Sequence, residues 1–362
     1  MTAEAETENH STPEGFTPVE LALSTRNHGL PLEALRYDVT PLGLHYLLTH
    51  FDIPHVDAGS WSLSIGGHVG RPVSITLDEL KERPEVTLAC TLECAGNGRA
   101  RLSPRPLSQP WFEEAVGTAE WTGTPLHPLL EDAQIGDGAV EVLFTGLDRG
   151  IAGGIEHNFE RSLSLEDALR PEVILAYAIN GQPLPPQHGF PLRLLVPGWY
   201  GMAHVKWLDR ITVLTEPFEG YQQAHQYRRK ESEEDPGVPL TKMLPRSLLI
   251  PPGIPDFPDR QRFLEPGSHV LEGRAWSGWA PIARVEVSVD GGRSWQDAML
   301  GEPVGEFGWT RWTCSWENVR PGEYLLCSRA TDAAGNVQPA EPEWNFGGYV
   351  NNSVQRVPVT VD

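Results

Sequence analysis

Proline (33) and glycine (36) interrupt this 362-residue chain about once every five residues, too often for long helices and suited to short strands joined by turns. Hydrophobic residues make up 40% of the chain, enough for an ordinary interior. With domains of roughly 150 residues as the usual size, the length argues for two cores. The expectation is a β-rich, loop-heavy protein of two domains, without internal repeats.

The net charge of −21 argues against a nucleic-acid binder or a protein held on an anionic membrane, since both need a basic face. Any bound anion would need a local group of basic residues working against that field. No stretch approaches the roughly 18 apolar residues of a membrane span. Met1 to Glu20 contains no Lys or Arg, as a secretory or twin-arginine leader would require. A cytoplasmic location is therefore expected.

Residues 1–20, acidic and poor in apolar side chains, read as a disordered tail. Residues 21–227 read as a first domain. In it, Thr76-Leu77-Asp78-Glu79 fits a capping box that opens a helix, and Ser164 fits a second cap. Ile174–Ile179 and Leu192–Val196 read as strands. Residues 228–258, a charge run followed by a proline-rich stretch, read as a linker. In residues 259–362, Val285, Val287 and Val289 alternate with polar residues before an Asp290-Gly291-Gly292 turn. Such regular short strands suggest an immunoglobulin-like sandwich.

Four cysteines, Cys90, Cys94, Cys314 and Cys327, are too few for a disulfide scaffold. On a strand, Cys90 and Cys94 share a face but stand roughly 13 Å apart, too far to bridge or to share a zinc. Cys314 and Cys327 flank Arg320-Pro321 symmetrically, so they are either cross-strand neighbours or buried free thiols. His45, His50 and His55 recur every five residues, a spacing that no regular helix or strand places on one face. The tryptophans of the second domain read as core or interface. No P-loop, H-E-x-x-H or G-x-S-x-G is present.

Two clusters carry candidate chemistry. In Thr91-Leu-Glu-Cys-Ala-Gly-Asn-Gly-Arg99 an apolar strand runs into a thiol, then a small glycine-rich turn and an arginine. The small residues admit a bulky group, and the arginine favours a metal-binding thiolate. Read alone, this fits a buried structural cysteine better. In the second, His188, Arg193, His204 and Lys206 gather around glycine-containing turns, a set suited to a phosphate. Read alone, these are also ordinary surface basics.

Together these segments resemble the sulfite oxidase family. The resemblance rests on Cys94-Ala-Gly-Asn followed by Arg99, on Asn180-Gly-Gln-Pro-Leu-Pro-Pro-Gln-His-Gly-Phe-Pro-Leu-Arg193, on His204-Val-Lys-Trp-Leu, and on Gly273–Trp279 and Asn336-Val-Gln-Pro339. It runs from about Thr40 to the C-terminus. It implies an α+β, mainly β architecture: a sulfite-oxidase-type molybdopterin-binding domain followed by an immunoglobulin-like dimerisation domain. It implies a molybdenum–molybdopterin cofactor with Cys94 as the protein's metal ligand and two-electron oxygen-atom transfer at a Mo-oxo centre. Tyr46, His50, Asp148, His188, Arg193, His204, Val205 and Lys206 match cofactor-binding positions. Arg99 and Tyr227 match catalytic positions at the substrate. A homodimer and a separate electron acceptor follow from the same resemblance.

Two departures bear on the substrate. Leu48 stands where the family's Arg-Asn-His has its arginine, and Thr310 stands where Trp-Arg-x-Trp has another. Losing two guanidinium groups removes charge-assisted hydrogen bonds worth roughly 1.5–3 kcal/mol each. Arg311 and Arg26 are the candidates to replace them. Turnover of a different S- or N-oxide by the same cofactor stays open beside a sulfite reaction, as does a cofactor-free scaffold.

Overall fold

The computed structural model describes residues 15–362, with 41% of the chain in strands and 12% in helices. Helices are single turns or little more, and several are started by a local signal. Thr76 closes a capping box with Glu79 at the start of Leu77–Lys81, and Ser164 caps Leu165–Ala168. Buried Leu77 and Leu80 anchor the first of these.

The first domain is built on two five-stranded sheets. One has the order Val73–Thr76, Ser62–Gly67, Leu208–Leu214, Glu141–Ala152, Ile155–Ser164; its Ser62–Gly67 and Leu208–Leu214 pair is parallel. The other runs Val86–Glu93, Val116–Pro125, Ile174–Ile179, Gln182–Pro183, with Arg193–Leu195 also paired to Ile174–Ile179. Ile174–Ile179 is apolar throughout because neighbours cover both its faces. Most site residues lie where strands of these sheets run out into loops.

The second domain stacks a four-stranded sheet on a six-stranded one. Leu271, Trp312 and Cys314 from the first meet Val285, Leu326 and Val359 from the second in one core. This is the immunoglobulin-like sandwich expected. Trp276, Trp309 and Leu248 turn the other way and join the first domain's core, so apolar packing continues across the boundary.

Two expectations need correction. Residues 1–14 of the predicted tail lie outside the described residues, but residues 15–20 are ordered into the fold. Thr17 forms a capping box with Glu20 at the head of helix Pro18–Ser24. Glu20 is buried against Arg105 at 2.7 Å. The segment 228–258 is not a linker laid over the surface. Its Arg228–Arg229 pairs with Val238–Pro239, and Arg246–Leu249 is a buried strand of the four-stranded sheet, paired with Gly273–Trp276. Of the two readings of Cys314 and Cys327, that of buried free thiols holds: one opposes Leu271 in the four-stranded sheet and the other opposes Arg356 in the six-stranded sheet. All four cysteines are free.

Candidate active site

The strand Val86–Glu93 delivers Cys94 to the floor of a cavity of about 710 Å³. The turn after it stays small: Gly96 donates its N–H to Cys94 Sγ at 3.4 Å, and Asn97 N–H closes on the Cys94 carbonyl at 2.9 Å. Burial pushes the thiol up, and the Gly96 N–H and Arg99 recover only part of that. The arginine thus favours a thiolate as expected, but burial outweighs it. A cation bound at Sγ would supply the remaining stabilisation.

The same lining carries basic residues. Arg193 reaches the cavity from its short strand, donating to the carbonyls of His188 (3.1 Å) and His204 (3.3 Å), with its guanidinium 4.6 Å above the Trp121 ring. Burial, with no carboxylate partner, pushes it down to about 10. Lys206 donates to the carbonyls of Leu48 (2.9 Å) and Gln187 (3.1 Å), leaving one N–H free. Gly189, at φ +105°, permits this crowding: a Cβ there would lie 3.0 Å from Lys206 Cβ and 3.2 Å from Arg193 Cβ. Burial lowers Lys206 and raises Asp148, and their mutual attraction offsets only part of each shift.

The histidines are held neutral. Burial first, then neighbouring His45, Arg193 and Lys206, push His188 down to about 2. His50, pushed down to about 4 by burial, accepts at Nε2 from Gln222 Nε2 at 3.1 Å, which leaves its Nδ1–H as the donor. His204 has no free ring nitrogen. Its Nδ1 accepts from Val196 N–H and its Nε2 donates to the Trp199 carbonyl, both at 3.1 Å. It shapes the wall without offering a ring hydrogen bond.

Tyr46 and Tyr227 complete the cavity. Gly201 gives Tyr46 its place, since a Cβ would sit 2.5 Å from the phenol oxygen. Tyr227, at φ +51°, is a bulky residue in the left-handed region, a strain that surrounding structure must over-determine. Its ring packs on Tyr349 at 5.4 Å and on Phe159 at 6.4 Å. Burial raises the Tyr227 hydroxyl well above the usual phenol range, so it is a proton donor at neutral pH.

An outer chamber adjoins this cavity, sharing Leu48, His50, Cys94 and Tyr227 with it. Arg99 lies there, buried, bonded to the carbonyls of Gly347 and Gln109 and stacked 4.9 Å from the Tyr349 ring. Exposed Arg26 borders the same chamber.

Nine of the eleven predicted site residues therefore line the inner cavity, and Arg99 lines the outer chamber. Val205 does not line either. Its side chain is fully buried in the domain core while its neighbours His204 and Lys206 face the cavity. Thr310 is buried in a strand and borders neither chamber, and Arg311 is tied to Asp38 at 3.0 Å. Of the two candidates to replace a lost arginine, Arg26 alone reaches the site. Sequence reasoning missed His45, which lines the cavity, and Gln222, which orients His50.

The profile of an "Oxidoreductase molybdopterin binding domain" matches residues 50–222, and that of a "Mo-co oxidoreductase dimerisation domain" matches residues 258–362. Mitochondrial sulfite oxidase of Mus musculus is 34% identical over 346 residues, 89% of this chain. The chain belongs to the sulfite oxidase family. An NADH nitrate reductase of Phaseolus vulgaris is 31% identical over 361 residues. This chain spans 62% of that sulfite oxidase and 40% of that nitrate reductase. The sulfane dehydrogenase SoxCD of Paracoccus pantotrophus matches with a TM-score of 0.79 and 27% identity, over all of this chain and 96% of that one.

The cavity fits the molybdopterin that such domains bind. Asp148 Oδ1 and Arg193 Nε are buried in its wall with no hydrogen-bond partner among the described residues. Buried polar atoms are nearly always satisfied, so both are suited to a polar ligand. Arg193 and Lys206, cations with no direct carboxylate contact among the described residues, suit its phosphate end, and the Cys94 thiol offers a soft donor in the same lining.

Proposed function

We propose that this protein catalyses two-electron oxygen-atom transfer on a small sulfur oxyanion, with Cys94 as the ligand to molybdenum. The observation that carries this is the polarity of the paired chambers: a buried thiol between a basic inner wall and an outer chamber bordered by Arg99 and Arg26. Bound molybdopterin supplies the redox centre, and the protein does the rest. Arg193 and Lys206 hold the phosphate end, and His50 offers Nδ1–H to the pterin. Arg26 and Arg99 draw the anion inward. The protonated Tyr227 hydroxyl donates a hydrogen bond at the reacting face.

A second reading is favoured by Leu48, an apolar side chain bordering both chambers: a neutral S- or N-oxide as substrate. The test is turnover by molybdenum-loaded protein of sulfite, other sulfur oxyanions, nitrate, a sulfoxide and an amine N-oxide, with an artificial acceptor or donor. The proposal expects anionic sulfur compounds to lead, with Arg26→Leu raising KM. Turnover of neutral oxides alone sinks it in favour of the second reading. Loaded protein inert to the whole panel sinks both.

Electrons then pass to a separate acceptor protein. The reading also includes a homodimer through residues 259–362, supported by exposed Val270 and Met299 on the outward face of the four-stranded sheet. Sedimentation of a monomer at micromolar concentration would refute that part.

A further inference from the structure

Glu93 immediately precedes Cys94 and is 1% exposed, so its carboxylate is held entirely by protein partners. Its partners come largely from the second domain. Arg246 Nη1 donates to Oε1 at 2.7 Å, and Trp276 Nε1 donates to Oε2 at 2.9 Å. Both partners are almost fully buried, and they sit opposite each other as paired residues of neighbouring strands. Asn97 Nδ2, from the turn after Cys94, donates to the same Oε1 at 3.0 Å. One carboxylate thus ties together the strand end, the cysteine turn and the second domain.

The same turn is held a second time by the second domain's 347–351 segment. Val350 N–H donates to the Ala95 carbonyl at 2.7 Å, and Asn351 Nδ2 donates to the Gly98 carbonyl at 2.7 Å. Arg99 Nε donates to the Gly347 carbonyl at 3.2 Å. The backbone on either side of Cys94 is therefore fixed by groups more than 150 residues away in sequence.

We infer that Glu93 is a positioning residue for Cys94, through which Arg246 and Trp276 of the second domain set the thiol's approach to the cofactor. A buried ion pair by itself is weak evidence of stabilisation, because desolvating two charges offsets much of their attraction. Its use here is geometric. It holds a metal-binding turn in one arrangement, as outer groups do for metal ligands generally. The second domain then serves the site as well as any subunit contact. The inference rests on Cys94 being the metal ligand, as proposed above.

The test compares wild type, Glu93→Gln and Trp276→Phe, each expressed with cofactor synthesis. Trp276→Phe removes a single N–H donor and keeps the ion pair, so it remains informative if Glu93→Gln fails to fold. The readouts are molybdenum per chain, cofactor affinity on reconstitution, and the electron paramagnetic resonance spectrum of the one-electron-reduced metal, which reports the geometry at sulfur. Both variants are expected to bind cofactor more weakly, by about 10–100-fold for Glu93→Gln as for other outer-shell changes, and to show a shifted or mixed spectrum. Variants that melt earlier but keep wild-type affinity and the wild-type spectrum overturn the inference and leave the ion pair as a domain tie only. Wild type that takes up no molybdenum overturns the cofactor reading itself, and this inference with it.

Discussion

Arg193→Met has different consequences for the cofactor-free and the cofactor-loaded protein. Without cofactor, Arg193 is a buried cation with no carboxylate partner, pushed down from 12.5 to about 10. Its folded value lies below its unfolded one, so the cost of holding the charge is fully present at neutral pH and fades only as pH rises above about 10. That cost is about 3 kcal/mol, at roughly 1.4 kcal/mol per pH unit. Removing the side chain forfeits the hydrogen bonds to the His188 and His204 carbonyls, worth about 1 kcal/mol each. It also forfeits the stacking on Trp121, worth about 1 kcal/mol. Gain and loss nearly cancel, so the cofactor-free variant should lie within about 1 kcal/mol of wild type. The loaded protein additionally loses charge-assisted bonds to an anionic group, about 1.5–3 kcal/mol each. Thermal unfolding of both forms reads the difference. At roughly 2–4 °C per kcal/mol, the loaded variant should melt markedly earlier than loaded wild type while the free forms nearly coincide. Equal losses in both forms would refute an anion at Arg193.

Three further outcomes follow from the site. In wild type, nitrogen chemical shifts should show His50 protonated at Nδ1, and Gln222→Glu should move the proton to Nε2 and raise the His50 pKa from about 4; an unchanged tautomer would refute the Gln222 assignment. His188 is pushed down to about 2, below its unfolded value, so its contribution is intact above pH 6.5 and is lost as the pH falls. Urea unfolding should show stability dropping by about 1.4 kcal/mol per pH unit below 6.5 for this residue alone, and His188→Gln should flatten the slope by that amount; an identical slope would show that His188 is protonated in the fold. Leu48→Arg, placed at the wall shared by both chambers, should lower KM for an anionic substrate several-fold with little change in kcat, and an unchanged KM would place the substrate elsewhere.

Local features were legible wherever the signal was local. The Thr76 and Ser164 caps, the strand Ile174–Ile179 and the turn after Val289 need only neighbours in sequence. The same chemistry was present at Thr17 and Glu20, with the spacing of Thr76 and Glu79, but the acidic composition around it pointed to a tail. What decides the matter is Arg105, 85 residues away. Arg246–Leu249 was hidden for a similar reason. Its proline-rich flanks suggest a linker, and only pairing with Gly273–Trp276 makes it a strand. In the site, the basic cluster and Cys94 became meaningful through resemblance, since each alone had an ordinary structural reading. His45 was passed over because helix and strand spacing cannot align it with His50. The segment is neither: a short 3-10 turn, Leu42–Leu44, leads into irregular chain that turns both toward the cavity. Val205 goes the other way, into the core, because the chain bends between the 3-10 turn Gly201–Ala203 and the strand from Leu208, and strand spacing does not apply there.

The most direct test of the central claim is the molybdenum and pterin content of protein made with cofactor synthesis, wild type beside Cys94→Ser. Near-stoichiometric molybdenum and pterin in wild type, with the serine variant folded but inactive and spectroscopically altered at the metal, is the predicted result. Wild type that carries neither, or a Cys94→Ser protein whose metal spectrum and activity match wild type, would contradict it.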